Sequence, residues 1–385
     1  MILAARMAEI EAFHVMDVQD RAHELEARGR RIIHMEIGQP DFPAPQPVAE
    51  AAIEAIRTRR LGYTASIGLP QLRQAVSDHY RKRLGVNVSP SRIVITAGAS
   101  GAFLLTLGTL LNPGDEVLMP DPCYPCNRHF VRLFEGRARA IPVNETQHYQ
   151  LSASDVRSNW TESTRGVLIA SPSNPTGTLI PRGELQAIIE SVRKARGFLV
   201  VDEIYQGLVY DGEPSTALEL ADDLFVINSF SKYFNMTGWR LGWMVAPESH
   251  VRQIEKLAQN AFICPPAPAQ YAALAAFRED TLAVLEERRW EFHKRRDYLV
   301  PALRNLGFRI PIVPQGAFYI YAGCESFSGD SSEFALRVLE EAGVAITPGL
   351  DFGSNRPERH VRFAYTRSLD DLKEGVGSIE KMLRA

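Results

Sequence analysis

Lys232 stands in the segment Asn228-Ser229-Phe230-Ser231-Lys232-Tyr233-Phe234, just past the apolar run Leu224-Phe225-Val226-Ile227. A lysine at the end of a buried strand is held still and partly dehydrated, and both conditions favour the neutral amine. A neutral amine forms a Schiff base with a carbonyl. Ser229 and Ser231 precede this lysine, and Arg240 follows eight residues after it. Hydroxyl donors with a guanidinium suit a phosphate group. The expected chemistry is carbonyl capture by an amine beside a bound anion. Taken alone, a Ser-x-Ser-Lys segment reads equally well as a solvated turn.

Three more groups follow expected strands in the same way. The strand Arg92–Ala97 runs into Gly98-Ala99-Ser100-Gly101, where a helix begins. Small residues at a helix start leave backbone N–H groups open to a phosphate, and the helix dipole favours it. The strand Gly166–Ala170 runs into Ser171-Pro172-Ser173-Asn174-Pro175-Thr176-Gly177. Its prolines fix the backbone, and the Asn174 amide can meet a ring hydroxyl. The strand Phe198–Val201 runs into Asp202-Glu203-Ile204-Tyr205. A carboxylate after four apolar positions needs a cationic partner, and a protonated pyridine nitrogen is one. Tyr205 is placed to reach the ring oxygen. Each piece has an ordinary reading too: a strand-to-helix turn, a proline turn capped by Asn, and a helix N-cap or magnesium ligand. In combination they supply, in chain order, a phosphate cradle, a hydroxyl partner, a pyridinium partner and an amine. The expected cofactor is pyridoxal 5′-phosphate, which carries aldehyde, phosphate and pyridine ring in one molecule.

These groups need a frame. Short apolar runs alternate with amphipathic stretches at Arg92–Ala97, Glu116–Met119, Ala138–Val143, Gly166–Ala170, Phe198–Val201, Leu224–Asn228 and Leu241–Val245. Helices are expected at Ala99–Leu111 and at Arg182–Arg196, where Leu185, Ile188, Ile189 and Val192 form a stripe. The fold expected is α/β: a large domain with a mostly parallel seven-stranded sheet sandwiched by helices. Only a short loop joins Lys232 to the Leu241 run, so that last strand is expected to be antiparallel. Ligands bind such sheets at the carboxyl ends of the strands. Beyond it the pattern turns α+β: one long helix Ala272–Asn305, a strand Ala317–Tyr321, a helix Ser332–Ala342, then Val344–Ile346 and His360–Ala364. The expected division is an N-terminal segment 1–43 packing with a small domain, a large cofactor-binding domain 44–285, and a small C-terminal domain 286–385.

Composition narrows the class. The 385 residues are 45% hydrophobic and 23% charged, with a net charge of −3, ordinary for a soluble enzyme and no pointer to nucleic acid or membrane. Charges at Glu9 and Glu11 interrupt any signal-peptide core, and a cytoplasmic protein is expected. Cys123-Tyr124-Pro125-Cys126 has redox or zinc spacing, but Cys264 and Cys324 form no second pair. The nine histidines show no ligand spacing, so no metal is expected.

The sequence resembles the class I/II aminotransferases, fold-type I pyridoxal-phosphate enzymes similar to aspartate aminotransferase. The resemblance rests on Ser-Pro-Ser-Asn-Pro-Thr-Gly at 171–177, Val-Asp-Glu-Ile-Tyr at 201–205 and Ser-Phe-Ser-Lys at 229–232. Gly-Trp-Arg-Leu-Gly-Trp at 238–243, Val-Arg-Phe-Ala-Tyr at 361–365, and Tyr63-Thr64 with Gly68 and Leu72-Arg73 also fit. It runs from about Ile37-Gly38-Gln39-Pro40-Asp41 to the end. It implies that Lys232 holds the cofactor and shuttles a proton, that Asp202 pairs with the pyridine nitrogen, and that Asn174 and Tyr205 meet the ring hydroxyl. Ala99, Ser100, Ser229, Ser231 and Arg240 would bind phosphate, and Tyr124 would stack on the ring. Arg362 would take the substrate α-carboxylate, helped by the Gly38 backbone. Without the resemblance, Arg362 reads as a surface arginine with a buried stem. Tyr63 would reach the phosphate of a neighbouring subunit, implying a homodimer with composite sites.

The reaction so implied is ping-pong transfer of an amino group from an amino acid to a 2-oxo acid, with 2-oxoglutarate as a candidate acceptor. A C–S β-lyase on the same scaffold is the alternative, since the shared motifs report the cofactor and not which bond breaks. A non-catalytic ligand-sensing regulator is a remoter one; about forty residues precede the matching region, few for a DNA-binding domain. Phe13, Ile37, Phe262 and Phe318 are candidate pocket-lining residues, and the segment with Phe13 and Met16 is a candidate closing flap.

Overall fold

The computed structural model describes residues 3–59 and 61–385. Met1 and Ile2, at the head of the expected N-terminal segment, lie outside the described residues.

The strands are β1 (Ile33–His34), β2 (Ile93–Thr96), β3 (Glu116–Asp121), β4 (Arg137–Pro142), β5 (Thr164–Ala170) and β6 (Phe198–Asp202). They continue as β7 (Phe225–Ser229), β8 (Gly242–Val245), β9 (Tyr319–Gly323), β10 (Val344–Ala345), β11 (Thr347–Pro348) and β12 (His360–Ala364). Seven of them form one sheet in the order β2-β8-β7-β6-β5-β3-β4. All its pairings are parallel except those of β8, which is antiparallel to both β2 and β7. The short return loop after Lys232 forces that reversal, as expected.

The middles of the central strands are apolar because both faces are covered. Alternate residues enter two separate cores. Leu199, Val201 and Val226 join the larger cluster, while Val200, Phe225 and Ile227 join the cluster under helix Gly98–Leu110. With both faces covered, alternate strand residues on either side are apolar, and buried polar residues such as Asp202, Asn228 and Ser229 sit toward the strand ends. The edge strand β4 turns Arg137 and Pro142 outward, and β5 turns Arg165 outward near its start.

Register sets the site. Ala170 pairs with Asp202, and Asp202 with Ile227. Ser229 and Thr96 both pair with Gly242. The segments carrying Asn174, Asp202, Lys232 and Ala99-Ser100 therefore leave the same edge of the sheet.

The C-terminal part holds a three-stranded antiparallel sheet, β11-β12-β9, and β10 pairs in parallel with β1. The N-terminal segment thus packs on C-terminal elements. The expected single helix Ala272–Asn305 is three pieces: helix Ala267–Leu274, a 3-10 turn Ala275–Phe277, and helix Glu279–Asn305. Arg278 is extended between them, and Glu279 and Asp280 open the new helix, where acidic side chains favour an N-terminus. The expected helix Ser332–Ala342 is an α-helix, Ser331–Arg337, continued by a π turn, Val338–Ala342. Among the described residues, no helix is long and apolar enough to cross a membrane.

Candidate active site

One cavity of about 330 Å3 opens at the carboxyl edge of the sheet. Every expected site residue lines it except Tyr63. Lys232, with Ser229 and Ser231 just before it, comes from the end of β7. Its Nζ donates to the Gly38 carbonyl at 2.7 Å and sits 5.9 Å from the centre of the Phe318 ring. The ammonium is surrounded by protein even though the cavity reaches its tip. Burial first, then Arg362 and Arg240, lowers its pKa to about 8. The neutral amine expected from the sequence is thus within reach near neutrality.

Asp202 ends β6 and is buried. Its Oδ1 accepts the Ile204 N–H at 3.0 Å. Burial raises its pKa to about 7, against that hydrogen bond and the Lys232 charge. A carboxylate so placed is stabilised by a cationic group brought into the cavity. Tyr205 is buried, with its hydroxyl 2.8 Å from that of Tyr319, and burial holds its pKa well above the ordinary value.

At the other end, Ser229 Oγ donates to Ser231 Oγ at 3.0 Å and accepts the Ser231 N–H at 3.1 Å. Arg240 adopts a left-handed backbone and donates to the Thr237 carbonyl at 3.0 Å. Ala99 and Ser100 stand in the first turn of helix Gly98–Leu110, whose first residue lies against the Arg240 guanidinium. A Cβ on Gly98 would lie 2.8 Å from Arg240 Nη2, and Gly98 has φ +72°. Free peptide N–H groups, two hydroxyls and a guanidinium make an anion cradle. Tyr124 lines the cavity near the chain leaving β3. Its neighbour Cys123 is a free, buried thiol whose pKa burial pushes up to about 12, which opposes a redox role.

Arg362 lies on β12, buried rather than on the surface. Its Nη1 donates to Asn174 Oδ1 at 3.0 Å, and its Nη2 donates to the Glu36 carbonyl at 2.5 Å and to Thr347 Oγ1 at 3.2 Å. Its guanidinium packs between two rings, 4.2 Å from the Tyr319 centroid and 4.9 Å from that of Phe352. Its Nε has no hydrogen-bond partner among the described residues. A buried guanidinium whose donors meet only neutral acceptors is arranged for an anion.

The sequence reading missed Tyr319. It braces Tyr205, stacks on Arg362, and lies so near Gly38 that a Cβ there would come within 1.8 Å of its hydroxyl. Its period-two apolar strand reads as plain core, so no local signal marks it. The pocket-lining expectations divide. Phe13 and Ile37 line the cavity. Phe318 does not; it is fully buried beneath it, against Tyr205 and Phe292. Phe262 lies instead in a separate surface depression with Tyr63, which is 83% exposed.

The donor set fits pyridoxal phosphate: an anion cradle at one end, a buried carboxylate for a pyridinium at the other, and an amine of lowered pKa in the same cavity. Comparison with known proteins agrees. The model of the family described as aminotransferase class I and II matches residues 30–379. The chain is 38% identical over 381 residues to a valine–pyruvate aminotransferase of Mycobacterium tuberculosis, spanning 98% of each chain. It is 34% identical over 385 residues to the (5-formylfuran-3-yl)methyl phosphate transaminase of Methanocaldococcus jannaschii, spanning 99% of this chain and 100% of that one. A crystal structure of an aminotransferase from Mycobacterium tuberculosis superposes with a TM-score of 0.96 at 37% identity, covering 100% of this chain and 99% of that one. Aspartate aminotransferase from Thermus thermophilus with maleate superposes with a TM-score of 0.94 at 30% identity, covering 99% of this chain and 100% of that one. The chain belongs to the class I and II aminotransferases, a family of pyridoxal-phosphate-dependent enzymes.

Proposed function

We propose that this protein moves an amino group from an amino acid to a 2-oxo acid by a ping-pong mechanism, with pyridoxal phosphate held by Lys232. The observation that carries this reading is one cavity presenting an amine of lowered pKa together with a buried carboxylate and a buried guanidinium with an unpartnered N–H. When bound, the cofactor supplies an aldehyde for amino exchange and a ring that accepts electrons from the substrate Cα. Ser229, Ser231, Arg240 and the helix start at Ala99-Ser100 hold its phosphate. Asp202 stabilises charge on the pyridine nitrogen, Asn174 and Tyr205 meet the ring hydroxyl, and Tyr124 covers the ring. Arg362 grips the substrate α-carboxylate, with the Gly38 backbone beside it. That grip orients the Cα–H toward the Lys232 amine, which removes the proton and returns it.

Exposed Tyr63 is assigned to the neighbouring subunit's phosphate in a homodimer. The protein is placed in the cytoplasm. The domains are taken as 44–285 and 286–385, with 1–43 packed on the latter; helix Glu279–Asn305 runs through the limit at 285 and so serves both. The acceptor is 2-oxoglutarate or pyruvate, the latter being named with valine in the Mycobacterium tuberculosis relative.

The test is stopped-flow absorbance of holoprotein mixed with single amino acids and no oxo acid. Loss of the cofactor's original band, with one equivalent of the matching 2-oxo acid, supports amino transfer. Pyruvate and ammonia accumulating over many turnovers overturn it in favour of elimination.

Two further outcomes follow from the site. Gly98→Ala weakens cofactor retention about tenfold, because the new methyl meets Arg240 and alanine at positive φ costs roughly 1–2 kcal/mol. Equilibrium dialysis of the cofactor measures this; unchanged retention would remove Gly98 from the cradle. The second concerns pH. Lys232 is protonated below about 8 and neutral above it, and only the neutral amine attacks a carbonyl. Capture of free pyridoxal phosphate by cofactor-stripped protein therefore accelerates as pH rises and levels off above about 8. A flat profile from pH 6 to 9 would contradict the assignment.

A further inference from the structure

Helix His14–Ala27 begins without a local cap. Phe13 occupies the N-cap position and its side chain accepts no hydrogen bond, where Ser, Thr, Asp or Asn is usual. The first peptide N–H groups of a helix still need acceptors. Asp351 supplies them from 337 residues away: its Oδ1 accepts the His14 N–H at 2.7 Å. Its Oδ2 accepts the Val15 N–H at 3.0 Å. Asp351 is buried, and it follows Gly349 in the turn that carries Phe352 onto the Arg362 guanidinium. Its carbonyl also accepts Arg128 Nη2 at 3.2 Å, and the same nitrogen lies 3.6 Å from Glu11. Arg132 pairs with Glu9 at 2.7 Å.

Phe13, Val15 and Met16 line the cavity beside Ile37, which precedes Gly38. Giving up a polar cap thus places an apolar side chain at the cavity instead. The ion pairs of Glu9 and Glu11 are partly exposed and hold weakly. A buried carboxylate taking two peptide N–H groups at a helix start holds firmly. Among the described residues, the cations lining the cavity are Lys232, Arg240 and Arg362, and each already has a proposed role.

Resting on the aminotransfer reading above, we infer that Asp351 is a positioning residue: it fixes Phe13, Val15 and Met16 as the wall of the substrate side-chain subsite, which selects amino acids with bulky apolar side chains. Its distance from the N-terminal segment in sequence lets one turn set both the Arg362 environment and this wall.

The test compares kcat/KM for leucine and alanine, with pyruvate as acceptor, in holoenzyme. Alanine is too short to reach the wall. Wild type favours leucine, and Asp351→Asn, which keeps one acceptor oxygen, lowers the leucine-to-alanine ratio roughly tenfold, mainly through KM. Limited trypsin cleavage after Arg6 and Arg21 becomes faster in the same variant. Phe13→Ala, at a partly exposed position that leaves the cap intact, lowers the ratio in the same direction and keeps the test open if the first variant misfolds. An unchanged ratio in Phe13→Ala, or in folded Asp351→Asn, overturns the inference while leaving aminotransfer standing. A wild-type preference for aspartate over leucine does the same. Failure of the wild type to transfer an amino group from any amino acid overturns both readings.

Discussion

Lys232→Ala lowers multiple-turnover amino transfer by roughly 10⁴-fold, the upper range for a group acting as general acid and base, with a further loss from the missing covalent attachment. The size follows from how little else in the cavity does this work. In the proposed function Asp202 and Tyr205 serve the ring, and burial raises the hydroxyl pKa of Tyr205 well above 10. Tyr205 is therefore no base at neutral pH, and in the proposed reading the Asp202 carboxylate is engaged by the pyridine nitrogen. The fold is expected to survive. The amine's hydrogen bond is to one carbonyl, that of Gly38, so its removal costs a single hydrogen bond. Thermal unfolding with the turnover assay separates the two effects. A variant that is folded, carries cofactor and keeps turnover within tenfold of wild type would end the role assigned to Lys232.

Arg362→Lys is expected to lower kcat/KM for amino acids by about 10²- to 10³-fold. Lysine keeps the charge and loses the fork. In the native site that fork spans Asn174, Thr347 and the Glu36 carbonyl, and its plane lies between Tyr319 and Phe352. An ammonium cannot stack between two rings or meet a carboxylate bidentately. Disrupting one partner of a buried charged pair costs about 2–5 kcal/mol, which brackets the stated range. The loss belongs to carboxylate recognition, so a donor amine without a carboxylate should lose much less. Equal losses for both donors would show that the substitution damages the cavity generally.

The elements that hold the cofactor residues were legible because their signals are local. A fully apolar strand run followed by Asp202, by the proline-bracketed Asn174, or by Ser229-x-Ser231-Lys232 announces a parallel strand and its carboxyl end within about ten residues. Parallel strands bring such ends to one edge whatever their exact order, so the cluster was predictable before its geometry. Helix limits were less so. The break at Arg278 depended on two acidic residues in a stretch dense with charge, where periodicity carries little contrast.

The Arg362 side of the cavity was decided by tertiary structure. Arg362 reaches Asn174 across 188 residues, and only the pairing of β12 with β9 and β11 makes it a buried donor instead of a surface arginine. Phe318, in the turn just before β9, and Tyr319, its first residue, are adjacent in sequence, yet only the second reaches the cavity while the first packs beneath it. Asp351 caps a helix 337 residues away, a contact that no spacing in the chain encodes. The sequence by itself determined the sheet and which residues at its carboxyl edge line the cavity, because hydrogen bonding and burial along each strand act between near neighbours. Packing between distant segments determined that Arg362, Tyr319 and the Phe13 segment join that cavity, since burial, unlike periodicity, is a property of everything that surrounds a side chain.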